Sequence, residues 1–234
     1  MCIYPKKVYC VIPAAGVGSR MNINTPKQYL SINNKTIIEF SIEKILTAIN
    51  VEQVVVALHP QDNYFAKLPI AKHPKVRTVQ GGKMRRDSVL NAIQTINAAA
   101  ALVLIHDAVR PCVSIADIRF LYDNAVKHNI SAILSNPVSN TIKLIAANSK
   151  IIKTLDRDQL RQAVTPQIFD KDLLLQILLA VTDNTVFTDE ASAVESAGYP
   201  VLSIDSNVDN IKLTTKKDFY VIEQILKSQE YEIV

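Results

Sequence analysis

Apolar runs alternate with amphipathic stretches, glycines follow the first strand, and the rhythm breaks once between residues 137 and 164. Together these observations predict an α/β fold: a Rossmann-like, mostly parallel sheet flanked by helices, with an inserted β-hairpin arm. The 234 residues suit one domain, 1–234, from which 137–164 protrudes as an arm. Hydrophobic residues at 48% against 21% charged exclude a disordered or fibrous chain. A chain of this size can bury roughly 70–75% of its unfolded surface, enough for a real core.

Taken in order, Val8–Pro13 reads as a buried first strand. Ile37, Ile38, Ile42, Ile45, Leu46 and Ile49 recur at helical spacing within 35–49. Gln53–Leu58 is a second strand, and a short helix is expected after the polar start at Pro60–Asp62. Val76–Val79 is a third strand, 87–96 a helix, and Ala101–Ile105 a central strand ending at His106-Asp107. Ser114 is placed to cap a helix over Ile115–His128, followed by a strand at Ser131–Leu134. Then come two short β-like pieces, Thr141–Ile145 and Ile151–Leu155, joined by AANSK. A lone hairpin lacks a core, so it must pack on something, with a second subunit the expected candidate. Alternation resumes with helices at 172–181 and 189–197, a strand at 201–204 and a last helix over 216–227.

The net charge of +4 is compatible with an anionic small molecule and does not call for nucleic acid. Cys2, Cys10 and Cys112 show no metal-like spacing and are expected to be reduced thiols. The opening MCIYPKKVYCVIPAAG lacks a signal-peptide pattern, and no apolar run has transmembrane length. A cytoplasmic protein with no membrane partner is the expectation.

Glycine is scarce: average usage near 7% would give roughly 16, and the chain has five. Four fall in two groups, Gly16 with Gly18 and Gly81 with Gly82, where only glycine fits. Pro13-Ala14-Ala15-Gly16-Val17-Gly18-Ser19-Arg20-Met21 follows the first strand, with Pro26-Lys27-Gln28 close behind. Small residues there let backbone N–H groups approach phosphate oxygens, and Arg20 and Lys27 add charge. Met21 stands where the dinucleotide fingerprint needs a third glycine, and the P-loop Gly-Lys-Ser/Thr is absent. A triphosphate gripped by Arg and Lys remains open. His106 and Asp107 are adjacent on a strand and point opposite ways, so His106 reads as structural. Asp107 ends a central strand, where open α/β sheets bind ligands, and can face a hydroxyl or a hydrated Mg²⁺. Lys83 and Arg86 read as solvated charges.

AAGVGSRM…PKQY resembles the loop of the sugar-phosphate nucleotidyltransferases, most nearly the cytidylyltransferases of 2-C-methyl-D-erythritol 4-phosphate. Further matches follow in register: Gly81-Gly82-x-x-Arg85-x-x-Ser88-Val89, His106-Asp107-Ala108-x-Arg110-Pro111, Thr165-Pro166-Gln167, Thr188-Asp189-Glu190-Ala191-Ser192 and Asp209-Asn210-Ile211-Lys212. The resemblance implies that Ala14, Ala15, Gly82 and Ser88 line a cytosine pocket, with Gly16, Gly18, Asp107 and Ala108 also serving the nucleotide. It implies that Arg110, Thr141, Thr165, Thr188 and Asp209 meet the second substrate. Arg20, Lys27, Arg157 and Lys212 would carry the electrostatic work. Thr141 and Arg157, on the arm, would serve the partner's site in a homodimer. Thr188 would also cap its helix. Val109 stands where the family commonly has Ala, and Asn140 where an acidic residue is usual. Val also occurs at that position in the related ribitol-phosphate enzymes.

The implied reaction moves CMP from CTP to 2-C-methyl-D-erythritol 4-phosphate and releases pyrophosphate. Mg²⁺ would be held mainly by the CTP phosphates, with no metal ligand set assigned to the protein. The attacking phosphate is already an anion and needs no general base. Alignment and electrostatics would then do the work. Two rivals stay open: a cytidylyltransferase of ribitol 5-phosphate or another alditol phosphate, and a nucleotide-binding regulatory protein without turnover. Met21 counts against a hydride-transferring dehydrogenase.

Overall fold

The computed structural model describes residues 6–16, 25–180 and 187–231. A seven-stranded sheet runs through the centre in the order β11-β7-β10-β6-β1-β4-β5. Its strands are β1 (Val8–Ala14), β4 (Gln53–Leu58), β5 (Val76–Gln80), β6 (Leu102–Ile105), β7 (Ser131–Pro137), β10 (Arg161–Asp170) and β11 (Val201–Asp205). All neighbouring pairs are parallel except those made by β10, which runs antiparallel to both β6 and β7.

Helices cover both faces, which explains why the central strands read as unbroken apolar runs. Along β1, Cys10 and Ile12 join one core while Val11 joins the other. On the first face, α1 (Ile37–Ala48) contributes Ile38, Ile42 and Ile45, and α3 (Ile115–His128) contributes Ile118 and Leu121. On the second, α2 (Arg85–Gln94), α4 (Lys171–Ala180) and α5 (Glu190–Ser196) bring Val89, Ile93, Leu174 and Val194. Each such fully buried aliphatic side chain is worth about 1.5–3 kcal/mol. A third, smaller core seats α6 (Lys216–Tyr231) through Ile222 and Leu226 against Val109, Cys112 and Leu213.

Several expectations are met closely. Ser114 caps α3, accepting from Asp117 N at 2.9 Å. Gly198 takes φ +84° just beyond α5, as a helix-terminating glycine does. Cys10 and Cys112 are buried free thiols, and Cys2 lies outside the described residues.

Others need correction. The short helix after Asp62 is two 3-10 turns, Phe65–Lys67 and Pro69–Lys72. Asp189, not Thr188, caps α5, because its Oδ1 accepts from Ser192 N at 3.0 Å. The strand β10 went unread because Pro166 interrupts its pattern, and proline cannot donate to a ladder. The ladder with β7 shifts register between Val164 and Gln167, which lets Pro166 sit at an irregularity inside a central strand. Arg161 pairs with Pro137, so the last residues of 137–164 belong to the central sheet.

The hairpin is a separate two-stranded sheet, β8 (Ile142–Ile145) with β9 (Ile151–Leu155). Leu144, Ile145, Ile151 and Ile152 are exposed on it. Two smaller strands, β2 (Ser31–Ile32) and β3 (Lys35–Thr36), form a tight hairpin leading into α1.

Candidate active site

Chain order leaves β1 for β4 and β5 on one side, then returns to β6 on the other. That reversal makes a crevice at the carboxyl ends of β1 and β6, the usual ligand position in such sheets. Ala14, Ala15 and Gly16 form one wall. Gly82, Arg85 and Ser88 form a second, Asp107, Ala108 and Val109 the floor, and Lys27 and Lys212 complete it. Residues far apart in sequence therefore meet in one cleft.

Close packing of backbone shapes the walls. A Cβ on Gly81 would lie 2.5 Å from Ala15 Cβ and 2.9 Å from Ser88 Oγ. The glycine thus lets the loop after β5 press against the loop after β1. Gly82 N donates to Ser88 Oγ at 3.1 Å, and Ser88 Oγ donates to Met84 O at 3.2 Å. Gln28, which the sequence did not single out for a role, is buried and donates to Ala14 O at 2.9 Å. It ties the turn after Pro26 to the end of β1.

Charge is concentrated on Asp107. Lys212 Nζ lies 2.8 Å from its Oδ2, Arg110 Nε 3.4 Å from the same oxygen, and Arg85 Nε 3.2 Å from Oδ1. Burial pushes this carboxyl up, but Arg85, Lys212 and Arg110 outweigh it and hold it far below the usual carboxylate range. Arg85 is pinned from behind by Glu190, whose two oxygens lie 2.6 and 2.7 Å from Nη1. Lys27 Nζ donates to Leu213 O at 3.0 Å, and Leu213 N donates to Val109 O at 2.9 Å. The segment carrying Lys212 is thereby stitched to both sides of the cleft.

His106 is structural, as expected. Its Nε2 donates to Arg110 O at 3.2 Å and its Nδ1 lies 3.2 Å from Thr165 Oγ1. Burial lowers its pKa to about 4, so the ring is neutral near pH 7. Thr165 Oγ1 also accepts from Asp107 N at 3.0 Å. The histidine and threonine therefore fix the backbone from which Asp107 projects.

Of the residues expected in the site, Ala14, Ala15, Gly16, Lys27, Gly82, Ser88, Asp107, Ala108 and Lys212 line the cleft. Arg110 and Thr165 lie behind it, Arg110 donating to Asn210 O at 2.8 Å and Thr165 facing His106. Thr141 and Arg157 sit on the arm, where Arg157 Nη1 donates to Ser139 O at 2.7 Å. Exposed Thr188 and half-buried Asp209 are not among the residues lining this cleft. Gly18 and Arg20 lie outside the described residues. Lys83 is exposed but borders the cleft, and Arg86 pairs with Asp87 at 3.4 Å. Arg85 and Glu190 carry the charge network yet drew no assignment from sequence. Their only signal was their place within two of the matched motifs.

A crevice of small residues and cations at a strand-order reversal defines an α/β protein built to hold an anionic ligand at the carboxyl ends of its strands. Residues 8–228 match the family model described as IspD, 2-C-methyl-D-erythritol 4-phosphate cytidylyltransferase, and the chain belongs to that family. The enzyme of that name from Vibrio cholerae is 44% identical over 216 residues, covering 91% of this chain and 93% of its own. That from Sodalis glossinidius is 43% identical over 213 residues, covering 90% and 89%. The crystal structure of the Francisella tularensis enzyme superposes with a TM-score of 0.80 at 32% identity, covering 94% of this chain and 100% of its own.

Proposed function

We infer that this chain transfers CMP from CTP to 2-C-methyl-D-erythritol 4-phosphate, releasing pyrophosphate, in non-mevalonate isoprenoid precursor synthesis. The observation that carries this reading is the convergence of Ala14–Gly16, Lys27, Gly82, Ser88, Asp107 and Lys212 on one cleft in a chain of this family. An oxygen of the acceptor phosphate attacks the α-phosphorus of CTP. The new P–O bond forms as the bond to the β-phosphate breaks, and no proton has to leave the nucleophile.

The small walls and Ser88 accommodate the flat cytosine, whose exocyclic amine and carbonyl need backbone and hydroxyl partners. Lys27, with Arg20, stabilises charge on the α-phosphate and the departing pyrophosphate. Lys212 holds the acceptor phosphate in line, and Asp107 faces the substrates' hydroxyl groups. Thr165 and Arg110 act through their hold on Asp107, and Asp209 and Thr188, which do not line the cleft, would meet an acceptor that extends beyond it.

Magnesium, when bound, neutralises triphosphate charge. The residues present fit an ion carried by the nucleotide's own oxygens. Asp107, a carboxylate lining the cleft, is already shared by three cations.

The exposed apolar side chains of the hairpin support a homodimer in which the arm, with Thr141 and Arg157, reaches the partner's cleft. Among the described residues no helix is long and apolar enough to cross a membrane, and the buried cysteines are unpaired. The free thiols of Cys10 and Cys112 are in keeping with a reducing, cytoplasmic setting.

A pyrophosphate-release assay with CTP and Mg²⁺ tests the reading, comparing 2-C-methyl-D-erythritol 4-phosphate with ribitol 5-phosphate. Release with the first acceptor and little with the second is expected. The reverse preference would transfer the assignment to an alditol-phosphate enzyme. CTP binding without release from either would leave a binding protein.

A further inference from the structure

Arg85 joins two nearly enclosed carboxylates, reaching Asp107 through Nε and Glu190 through Nη1. The side chains of Arg85 and Lys212 are 31% and 37% exposed, and both line the cleft, whereas Asp107 and Glu190 are 7% and 3% exposed. The two oxygens of Asp107 are divided between Arg85 on one and Lys212 with Arg110 on the other. Glu190, Arg85, Asp107 and Lys212 therefore form a line of alternating charge. Like charges two links apart repel in such a partly enclosed site, so Arg85 weakens the hold of Asp107 on Lys212, and Glu190 offsets Arg85.

We propose that Arg85 and Glu190 are positioning residues that set how readily Lys212 leaves Asp107 for the acceptor's phosphate. The proposal rests on the role of Lys212 given above. With Glu190 neutral, Arg85 turns wholly to Asp107, and Lys212 is released more easily. With Arg85 gone, Asp107 keeps its full charge for Lys212 and Arg110, and Lys212 is held harder. A role confined to seating α5 against the sheet would instead move both variants the same way.

The test uses full-length Glu190→Gln and Arg85→Met enzymes with two readouts. One is the rate at which a small acylating reagent modifies Lys212 without substrates, followed by mass spectrometry. The other is KM for the acceptor at saturating CTP. Glu190→Gln is expected to speed acylation several-fold and lower acceptor KM. Arg85→Met is expected to slow acylation and raise acceptor KM, each roughly tenfold, the scale of one charge-assisted hydrogen bond. Arg85→Met leaves Glu190 enclosed without its partner, so the double variant Arg85→Met with Glu190→Gln guards against misfolding and is expected to behave like Arg85→Met. Unchanged Lys212 acylation in Glu190→Gln, or shifts of the same sign in Glu190→Gln and in the double variant, would overturn the proposal. If the wild type releases no pyrophosphate from CTP with the acceptor, the assigned reaction fails instead. The acylation rates then still decide whether the line of charges governs Lys212.

Discussion

Lys27 and His106 show how differently two polar residues can serve one cleft. Lys27 lines the cleft, and its Nζ rests on Leu213 O, a bond that a phosphate oxygen can replace. Lys27→Ala is expected to cut kcat/KM by about 2.7–4 kcal/mol, roughly 100- to 1,000-fold, while the circular dichroism spectrum stays that of wild type. Near-normal turnover would remove Lys27 from the mechanism. His106 serves from behind, as a neutral ring with both nitrogens occupied. Its pKa falls from 6.5 to about 4 on folding, mainly through burial. The unfolded chain thus binds the proton more readily. The stability due to this group is fully present above about pH 6.5 and is lost as pH falls toward 4. The loss reaches about 3 kcal/mol, to be read as a falling denaturation midpoint over that range. His106→Asn should flatten the slope there, and an unchanged slope would show that other groups govern it.

At the scale of elements, the cleft depends on how closely neighbouring loops approach. Gly81 backs onto Ala15 with no room for a methyl group, so Gly81→Ala must push the loop after β5 away from the end of β1. Overpacking of this kind costs about 1–3 kcal/mol. A lower thermal midpoint together with weaker CTP binding is expected, and calorimetry on one preparation can measure both. A variant that loses neither would mean that the loops separate freely. Ser114→Ala provides the contrast, since it removes the cap of α3 and leaves the cleft alone. About 1 kcal/mol of stability should be lost, seen in the urea midpoint, with kcat and KM unchanged.

The whole molecule poses the question of what covers the arm. Two strands without a core are marginal in water, and Leu144, Ile145, Ile151 and Ile152 leave theirs exposed. Changing Ile145, Ile151 and Ile152 together to Ser is expected to yield a monomer by sedimentation equilibrium. On the proposed dimer, turnover should fall at least tenfold with the loss of Arg157 and Thr141 from a second cleft. A dimer that survives these changes would place the interface elsewhere.

Much of this was legible in the residues themselves. Continuous apolar strands such as 53–58 and 101–105 required a sheet covered on both faces, and Gly81-Gly82 marked a place where backbone must come close, whereas a Cβ on Gly16 would meet nothing within 4 Å. The matched motifs brought most of the cleft into view, from Ala14 to Lys212. What stayed hidden depended on neighbours distant in the chain. The strand β10 was concealed by Pro166, because a sequence shows the missing donor but not the ladder irregularity that tolerates it. Arg85 and Glu190 are 105 positions apart and look like ordinary surface charges until folding encloses the carboxylate. Sequence by itself determined the fold class, the family and two cations of the cleft, Lys27 and Lys212, since these follow from local pattern and residue type. Only the tertiary structure decided how Asp107 is shared among Arg85, Arg110 and Lys212, because charge sharing depends on distance and burial.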